Sequence, residues 1–221
     1  MPFNKQKYIE ISDFIEKKSE KSTKIIAVSK NHPITSIEEA LKFGINLFGE
    51  NRVQEAIEKY KPLKELYSKI ELHLTGPLQT NKVKQALSIF DVFQTLDREK
   101  LAKEFCKHLE TINKKSFYVQ INIGNEETKS GIKVSEANNF IEYCKFDLKM
   151  NIVGLMCIPP INEDPTNFFL SLGEIAKIYK LKNLSMGMSA DYKVAIKCGA
   201  THIRVGTSLF GSRNLWRWFL Q

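Results

Sequence analysis

Two cationic side chains and two small hydroxyls stand where an α/β chain could do chemistry. Residues 24–30 read KIIAVSK, an apolar run whose alternation puts Ile26, Val28 and Lys30 on one face before Asn31-His32-Pro33 breaks the strand. Lys30 is thereby expected at a strand's C-terminal end, the address of active sites in α/β barrels. Near the other end, His202-Ile203-Arg204-Val205 alternates so that His202 and Arg204 share one face and Ile203 and Val205 the other. With the apolar pair turned to the helices, Arg204 points inward, where a guanidinium is costly unless the protein or a ligand supplies a partner. Gly206-Thr207 follows directly, and the preceding unit ends in Gly187-Met188-Ser189-Ala190-Asp191 at a helix start. Loops in these positions bind anions through backbone N–H groups, to which Ser189 and Thr207 add hydroxyls. Taken singly, these residues read as a solvated lysine, a helix cap and a turn. Together they read as a phosphate cradle opposite an amine.

That combination suggests a phosphorylated carbonyl compound held as an imine on Lys30. The amine must be neutral to attack, and burial or the nearby Arg204 charge shifts it in that direction. Two ligand classes fit: pyridoxal phosphate, and phosphorylated sugar aldehydes or ketones. The stretch GNEETKS at 124–130 imitates a nucleotide-binding loop, but Thr128 stands where the second glycine is required. Lys129 and Ser130 are expected in a loop over the pocket mouth.

The elements that must position these residues alternate along the chain. Apolar residues Tyr8, Ile11, Phe14 and Ile15 predict an amphipathic helix over 4–22, packed outside a barrel. Strands are predicted at 24–30, 45–48, 71–75, 92–96, 116–123, 151–158, 184–188 and 202–205. Helices are predicted between them, with a capping box at Thr35-Ser36-Ile37-Glu38, a stop at Gly44, and an N-cap at Asp164 followed by Pro165. Eight βα units with short connections predict a single TIM-type (β/α)8 barrel over 1–221. A doubly wound sheet is the alternative, but the dinucleotide glycine fingerprint is absent from the first βα turn.

The totals narrow the function. In 221 residues the hydrophobic share is 43% and the charged share 26%, ordinary for a globular chain. The formal charge of +8 comes from lysines scattered through every segment, so a nucleic-acid partner is not expected. Cys106, Cys144, Cys157 and Cys198 are far apart and the four histidines lack ligand spacing; buried free thiols and no metal are expected. No signal or spanning segment is evident, which predicts a cytoplasmic protein. The aromatic tail Trp216, Trp218 and Phe219 is expected to dock on the body rather than on a membrane.

Seven motifs in order carry a resemblance: AVSK at 27–30, FGENRVQE at 48–55, HLTGPLQTNK at 73–82, NIGNEETKSGI at 122–132, GLMCIP at 154–159, LSMGMSADY at 184–192 and RVGTSLFGSR at 204–213. The chain resembles the pyridoxal phosphate homeostasis proteins, whose barrel is similar to the N-terminal domain of alanine racemases, the fold type III class of pyridoxal phosphate (PLP) proteins. The resemblance implies PLP as cofactor, with Lys30 forming the imine, Arg204 approaching the pyridine nitrogen, and Ser189, Gly206 and Thr207 holding the phosphate. It further implies that Asn51, His73, Asn122 and Met156 line the pocket. Ala190 departs from the family's usual acidic residue, so a hydrogen bond near the phosphate loop is expected to be missing, with Asp191 remaining. A racemase also needs an acid/base residue from an additional β domain. The chain ends ten residues after Gly211, so that domain is expected to be absent. The resemblance therefore implies a carrier or regulator in PLP and amino-acid homeostasis, a monomer or weak homodimer with PLP-dependent apoenzymes as recipients. The other reading is a weak racemase or transaminase-like enzyme with Lys30 as base and Tyr192 or His73 as helpers.

Overall fold

The computed structural model describes residues 2–20 and 22–211. The aromatic tail and Arg213 lie outside the described residues. Among the described residues nine strands form: β1 (Lys24–Val28), β2 (Leu47–Glu50), β3 (Glu71–Leu74), β4 (Val92–Leu96), β5 (Ser116–Asn122), β6 (Ile132–Lys133), β7 (Ile152–Cys157), β8 (Asn183–Ser185) and β9 (His202–Val205). Every pairing is parallel, and β1 joins β9 while β4 joins β5. The sheet therefore closes into an eight-stranded barrel, with the two-residue β6 appended to β5. That ninth strand escapes alternation because two residues carry no period.

The helices are α1 (Lys5–Lys18), α2 (Ile34–Lys42), α3 (Val53–Leu66), α4 (Val83–Ile89), α5 (Glu99–Cys106), α6 (Leu109–Ile112), α7 (Ala137–Glu142), α8 (Thr166–Ile178), α9 (Tyr192–Lys197) and α10 (Thr207–Phe210). In α1, Ile11 is fully buried and Tyr8, Phe14 and Ile15 pack against the core, as the spacing predicts. Gly44 ends the α2 segment with φ +99°, a conformation that costs glycine nothing. Three local expectations are corrected. The capping box does not form, because α2 starts two residues earlier with Pro33 at its N-cap and Ser36 is buried inside it. Asp164 accepts from the Thr166 backbone and hydroxyl at 3.0 and 2.7 Å, so its helix opens at Thr166 and Pro165 precedes it. The helix expected over 97–109 is split into α5 and α6.

Apolar side chains fill the layer between strands and helices, where Ile203 and Val205 lie fully buried. Register places Arg204 beside Ile26, His202 beside Lys24 and Ser185, and His73 beside Gly49 and Val92 on the other face, inside the barrel. That interior is polar, with Gln94, Gln120, Ser185, His73, His202 and Arg204 all buried. Gly49 is required there, since a Cβ would meet Ile26 Cγ2 at 2.9 Å.

His202 shows what this burial costs. Its ring is 6% exposed and is held neutral down to about 3, first by burial and then by its neighbours His73 and Lys24. The folded value lies below the ordinary 6.5, so this stabilisation is complete above pH 6.5 and is lost as pH falls toward 3. The loss amounts to about 1.4 kcal/mol per pH unit. Urea unfolding at pH 7 and pH 5 is expected to show a wild-type decline that His202→Gln flattens. Equal slopes in both proteins would contradict the assignment.

Candidate functional site

At the C-terminal ends of the strands a cavity of about 300 Å³ opens between Lys30, Asn51, Ser189, Arg204, Gly206 and Thr207. Val28, Thr75, Ile158, Met188, Ala190 and His32 complete its wall. None of these lining residues is a carboxylate. One ammonium, one guanidinium, three hydroxyls and a carboxamide converge, a donor set made for an anion. A larger, shallower opening of about 740 Å³ lies at the other end, between α1 and the strand N-termini. Its wall mixes Glu16, Glu20 and Glu71 with Lys24 and Lys69, and it is remote from the end where barrels do chemistry.

Lys30 is not in its strand. β1 stops at Val28, and Ser29 to His32 form a tight turn in which the His32 N–H donates to Ser29 O at 3.1 Å and Asn31 takes φ 61°. What holds this turn is an ion cluster between α3 and the end of β2. Lys59 Nζ lies 2.6 Å from Glu50 Oε1 and 2.8 Å from Glu55 Oε1, and donates to Ser29 O at 2.8 Å and His32 O at 3.2 Å. Glu55 accepts the Asn31 N–H at 2.5 Å, while Ser29 Oγ bonds Glu50 and the Tyr60 hydroxyl at 2.7 and 2.6 Å. Burial raises the Glu50 carboxyl, which Lys59 only partly offsets. The turn that carries Lys30 is therefore pinned at residues 29, 31 and 32.

Arg204 is 5% exposed. Its Nη1 donates to Ser185 Oγ and its Nη2 to the Cys157 carbonyl, both at 2.9 Å. Among the described residues no carboxylate lies at ion-pair distance from it. Burial accordingly pushes its pKa down, with Cys157 and Asp191 opposing. Beside it, Asp191 Oδ1 accepts the Met188 N–H at 2.5 Å and Ser189 Oγ accepts the Ser208 N–H at 3.4 Å, tying the loop before α9 to the start of α10. Gly187, at φ +90°, makes this bend possible, because a Cβ there would sit 2.5 Å from that of Ala195.

Comparison with known proteins now bears on these residues. The alanine racemase, N-terminal domain family matches residues 12–214. A pyridoxal phosphate homeostasis protein of Aquifex aeolicus is 39% identical over 89% of this chain and 90% of its own. One of Haemophilus influenzae is 38% identical over 95% and 93%. The chain belongs to the pyridoxal phosphate homeostasis protein family. The solved structure of one relative, PipY of Synechococcus elongatus with PLP bound, superposes with a TM-score of 0.80 at 32% identity, covering 93% of this chain and 99% of that one.

The family's motif residues do not all reach the cavity of this homeostasis-family barrel. Lys30, Asn51, Ser189, Arg204, Gly206 and Thr207 line it; His73, Asn122 and Met156 are not among the lining residues. His73 is buried deeper, bonded to Glu71 and Gln94 at 2.7 and 2.8 Å. The Asn122 amide binds the 126–129 loop, donating to Glu126 O at 2.8 Å and accepting its N–H at 3.1 Å. Met156 packs with Val92 and Tyr118. Asn51 Oδ1 accepts from the Thr75 hydroxyl at 3.0 Å, which places Thr75 at the wall. Ala190 lines the cavity, and Asp191 binds backbone instead. Lys129 bridges from its loop to Pro159 O at 3.2 Å and to Glu126. Lys59 and Glu50 escape sequence reading, since Glu55 and Lys59 look like an exposed i,i+4 helix pair.

Proposed function

We propose that this protein binds pyridoxal phosphate in the cavity at the strand C-termini, covalently through Lys30, and acts in PLP and amino-acid homeostasis. The observation that carries this reading is the convergence of the Lys30 amine, the buried Arg204 and the Ser189 and Thr207 hydroxyls on a cavity without a carboxylate in its wall. The donor set fits the group. Ser189, Gly206 and Thr207 would hold its phosphate, Arg204 would face its pyridine nitrogen, and Lys30 would replace its aldehyde oxygen with loss of water. We assign Asn51 to the same pocket. His73, Asn122 and Met156 support its walls from their own bonds and packing.

When bound, PLP supplies an electron sink. A fixed guanidinium beside the ring nitrogen disfavours its protonation, which weakens that sink. Of the helpers an amino-acid reaction would use, Tyr192 packs edge-on against Phe14 at 6.1 Å and His73 lies below the cavity. These placements favour a carrier over a racemase or transaminase. We place the protein in the cytoplasm as a single PLP-binding unit, a monomer or weak homodimer handing PLP to apoenzymes; among the described residues no helix is long and apolar enough to cross a membrane.

Incubation with PLP, and separately with sugar phosphates, is expected to produce a visible absorption band with PLP alone, and no turnover of amino acids. A colourless protein after PLP, or borohydride trapping of a sugar phosphate instead, would overturn the reading.

A further inference from the structure

Below the cavity a run of hydrogen bonds crosses the barrel interior from β9 to β3. Arg204 Nη1 donates to Ser185 Oγ at 2.9 Å, and Ser185 Oγ donates to Gln94 Oε1 at 2.6 Å. Gln94 Nε2 then meets His73 Nδ1 at 2.8 Å, and His73 Nε2 meets Glu71 Oε1 at 2.7 Å. His73, Gln94 and Ser185 are 1%, 0% and 0% exposed, so water cannot substitute for a lost partner, whereas the Glu71 side chain is about half exposed at the far end of the barrel.

The direction of every bond follows from that far end. The bond to His73 holds the Glu71 carboxyl below its usual range, so it is ionised at neutral pH and accepts only. His73 Nε2 must then carry the proton, and in a neutral imidazole Nδ1 is bare. Gln94 can satisfy a bare Nδ1 only with its NH₂, which turns its carbonyl toward Ser185. The Ser185 hydrogen goes to that carbonyl, and its lone pairs are left for Arg204. A guanidinium and a carboxylate are thus joined head to tail through three neutral groups, each polarising the next.

We propose that Gln94, His73 and Glu71 are positioning residues that set the orientation of Ser185 and thereby hold Arg204 against the cofactor ring, an assignment that rests on the PLP reading above. With Nη1 and Nη2 each anchored once, the guanidinium is held in one fixed orientation at the cavity wall. The other titratable groups around this run are Tyr118 and His202, whose rings lie 5.9 Å apart, Lys24 beside His202, and Cys157 and Asp191 near Arg204. Burial keeps the Cys157 thiol neutral to about 12 and His202 neutral to about 3, so neither adds charge near neutrality.

The test is a pH titration of the ring-nitrogen ¹⁵N resonance in the full-length protein loaded with ¹⁵N-labelled PLP, which reports protonation of that nitrogen. Gln94→Leu cannot orient Ser185, so the transition is expected to move up by about one pH unit, a tenfold change in proton affinity. Ser185→Ala removes only one oxygen, is expected to move it the same way, and serves if Gln94→Leu does not fold. Tyr118→Phe, inside the same barrel but outside the run, is expected to leave it unchanged. In protein without cofactor, ¹⁵N shifts of His73 are expected to show the Nε2–H tautomer. A coloured wild type with an unshifted Gln94→Leu or Ser185→Ala, or an Nδ1–H tautomer at His73, overturns the positioning role alone. A wild type without a PLP band overturns the cofactor reading first and the positioning role with it.

Discussion

Lys59→Met is expected to lower the unfolding free energy at pH 7 by about 3–5 kcal/mol, the cost of breaking a buried ion pair on one side. Methionine fills the lysine stem's space, so the loss is electrostatic. Glu50 is 0% exposed and its Oε2 has no partner. Without the Lys59 ammonium 2.6 Å from Oε1, only the Ser29 hydroxyl remains on that carboxylate. The Ser29 and His32 carbonyls lose their donor at the same time. The pH dependence has a definite sign. Burial already raises the Glu50 carboxyl in the folded state, and removing Lys59 raises it further. A raised carboxyl favours folding below its unfolded value and loses that contribution as pH rises through the folded value. The deficit of Lys59→Met should therefore be largest at pH 7 to 8 and shrink toward pH 5, where Glu50 takes up a proton. Urea midpoints for both proteins across that range measure it. Removing the carboxylate as well, in Lys59→Met with Glu50→Gln, should recover part of the loss. A deficit below about 1 kcal/mol, or one independent of pH, would mean the cluster is solvated and does not pin the Lys30 turn.

Lys30→Ala is expected to leave folding nearly unchanged and to abolish covalent retention of PLP. Lys30 sits past the end of β1 in a turn whose backbone is held through residues 29, 31 and 32, so alanine at position 30 removes none of the bonds made at those three. The cavity wall of Ser189, Gly206 and Thr207, to which we assign the phosphate, stays in place. Weak reversible binding should survive, at least ~10-fold poorer, which is about 1.4 kcal/mol or more. Equilibrium dialysis with PLP measures the affinity, and gel filtration after borohydride measures covalent retention. A mutant that still retains PLP after reduction would place the covalent bond on another amine.

The barrel was legible because apolar strand-like runs recur eight times, seven of them closed by a glycine or proline, and tertiary packing enforces both. Elements without a period were not. β6 has two residues, and the stretch after α7 continues as a π-turn over Tyr143–Asp147. The inward face of Arg204 followed from alternation within a regular strand. Lys30 did not, since a turn has no alternating faces, and it reaches the cavity from outside β1. His73 and Met156 share the interior-facing parity of the site residues, but parity does not report depth: both sit one layer below the cavity. Asn122 lies at the right height and spends its amide on a neighbouring loop. Lys59, Glu50, Ser185 and Gln94 act through partners 9 to 91 residues away, and no local pattern encodes such distances. Two thiols expected to be buried, Cys106 and Cys198, are half-buried, at the ends of short helices.

The central claim is that one lysine, in one cavity, holds the cofactor. A chain carrying 28 lysines will react with excess PLP at many surface amines, so colour alone does not test it. The direct measurement is borohydride reduction of the protein at equimolar PLP, followed by proteolysis and mass spectrometry of the peptides. The account predicts the pyridoxyl mass on the peptide containing Lys30, at close to one per chain. Modification spread over surface lysines, or concentrated on any lysine other than Lys30, would contradict it.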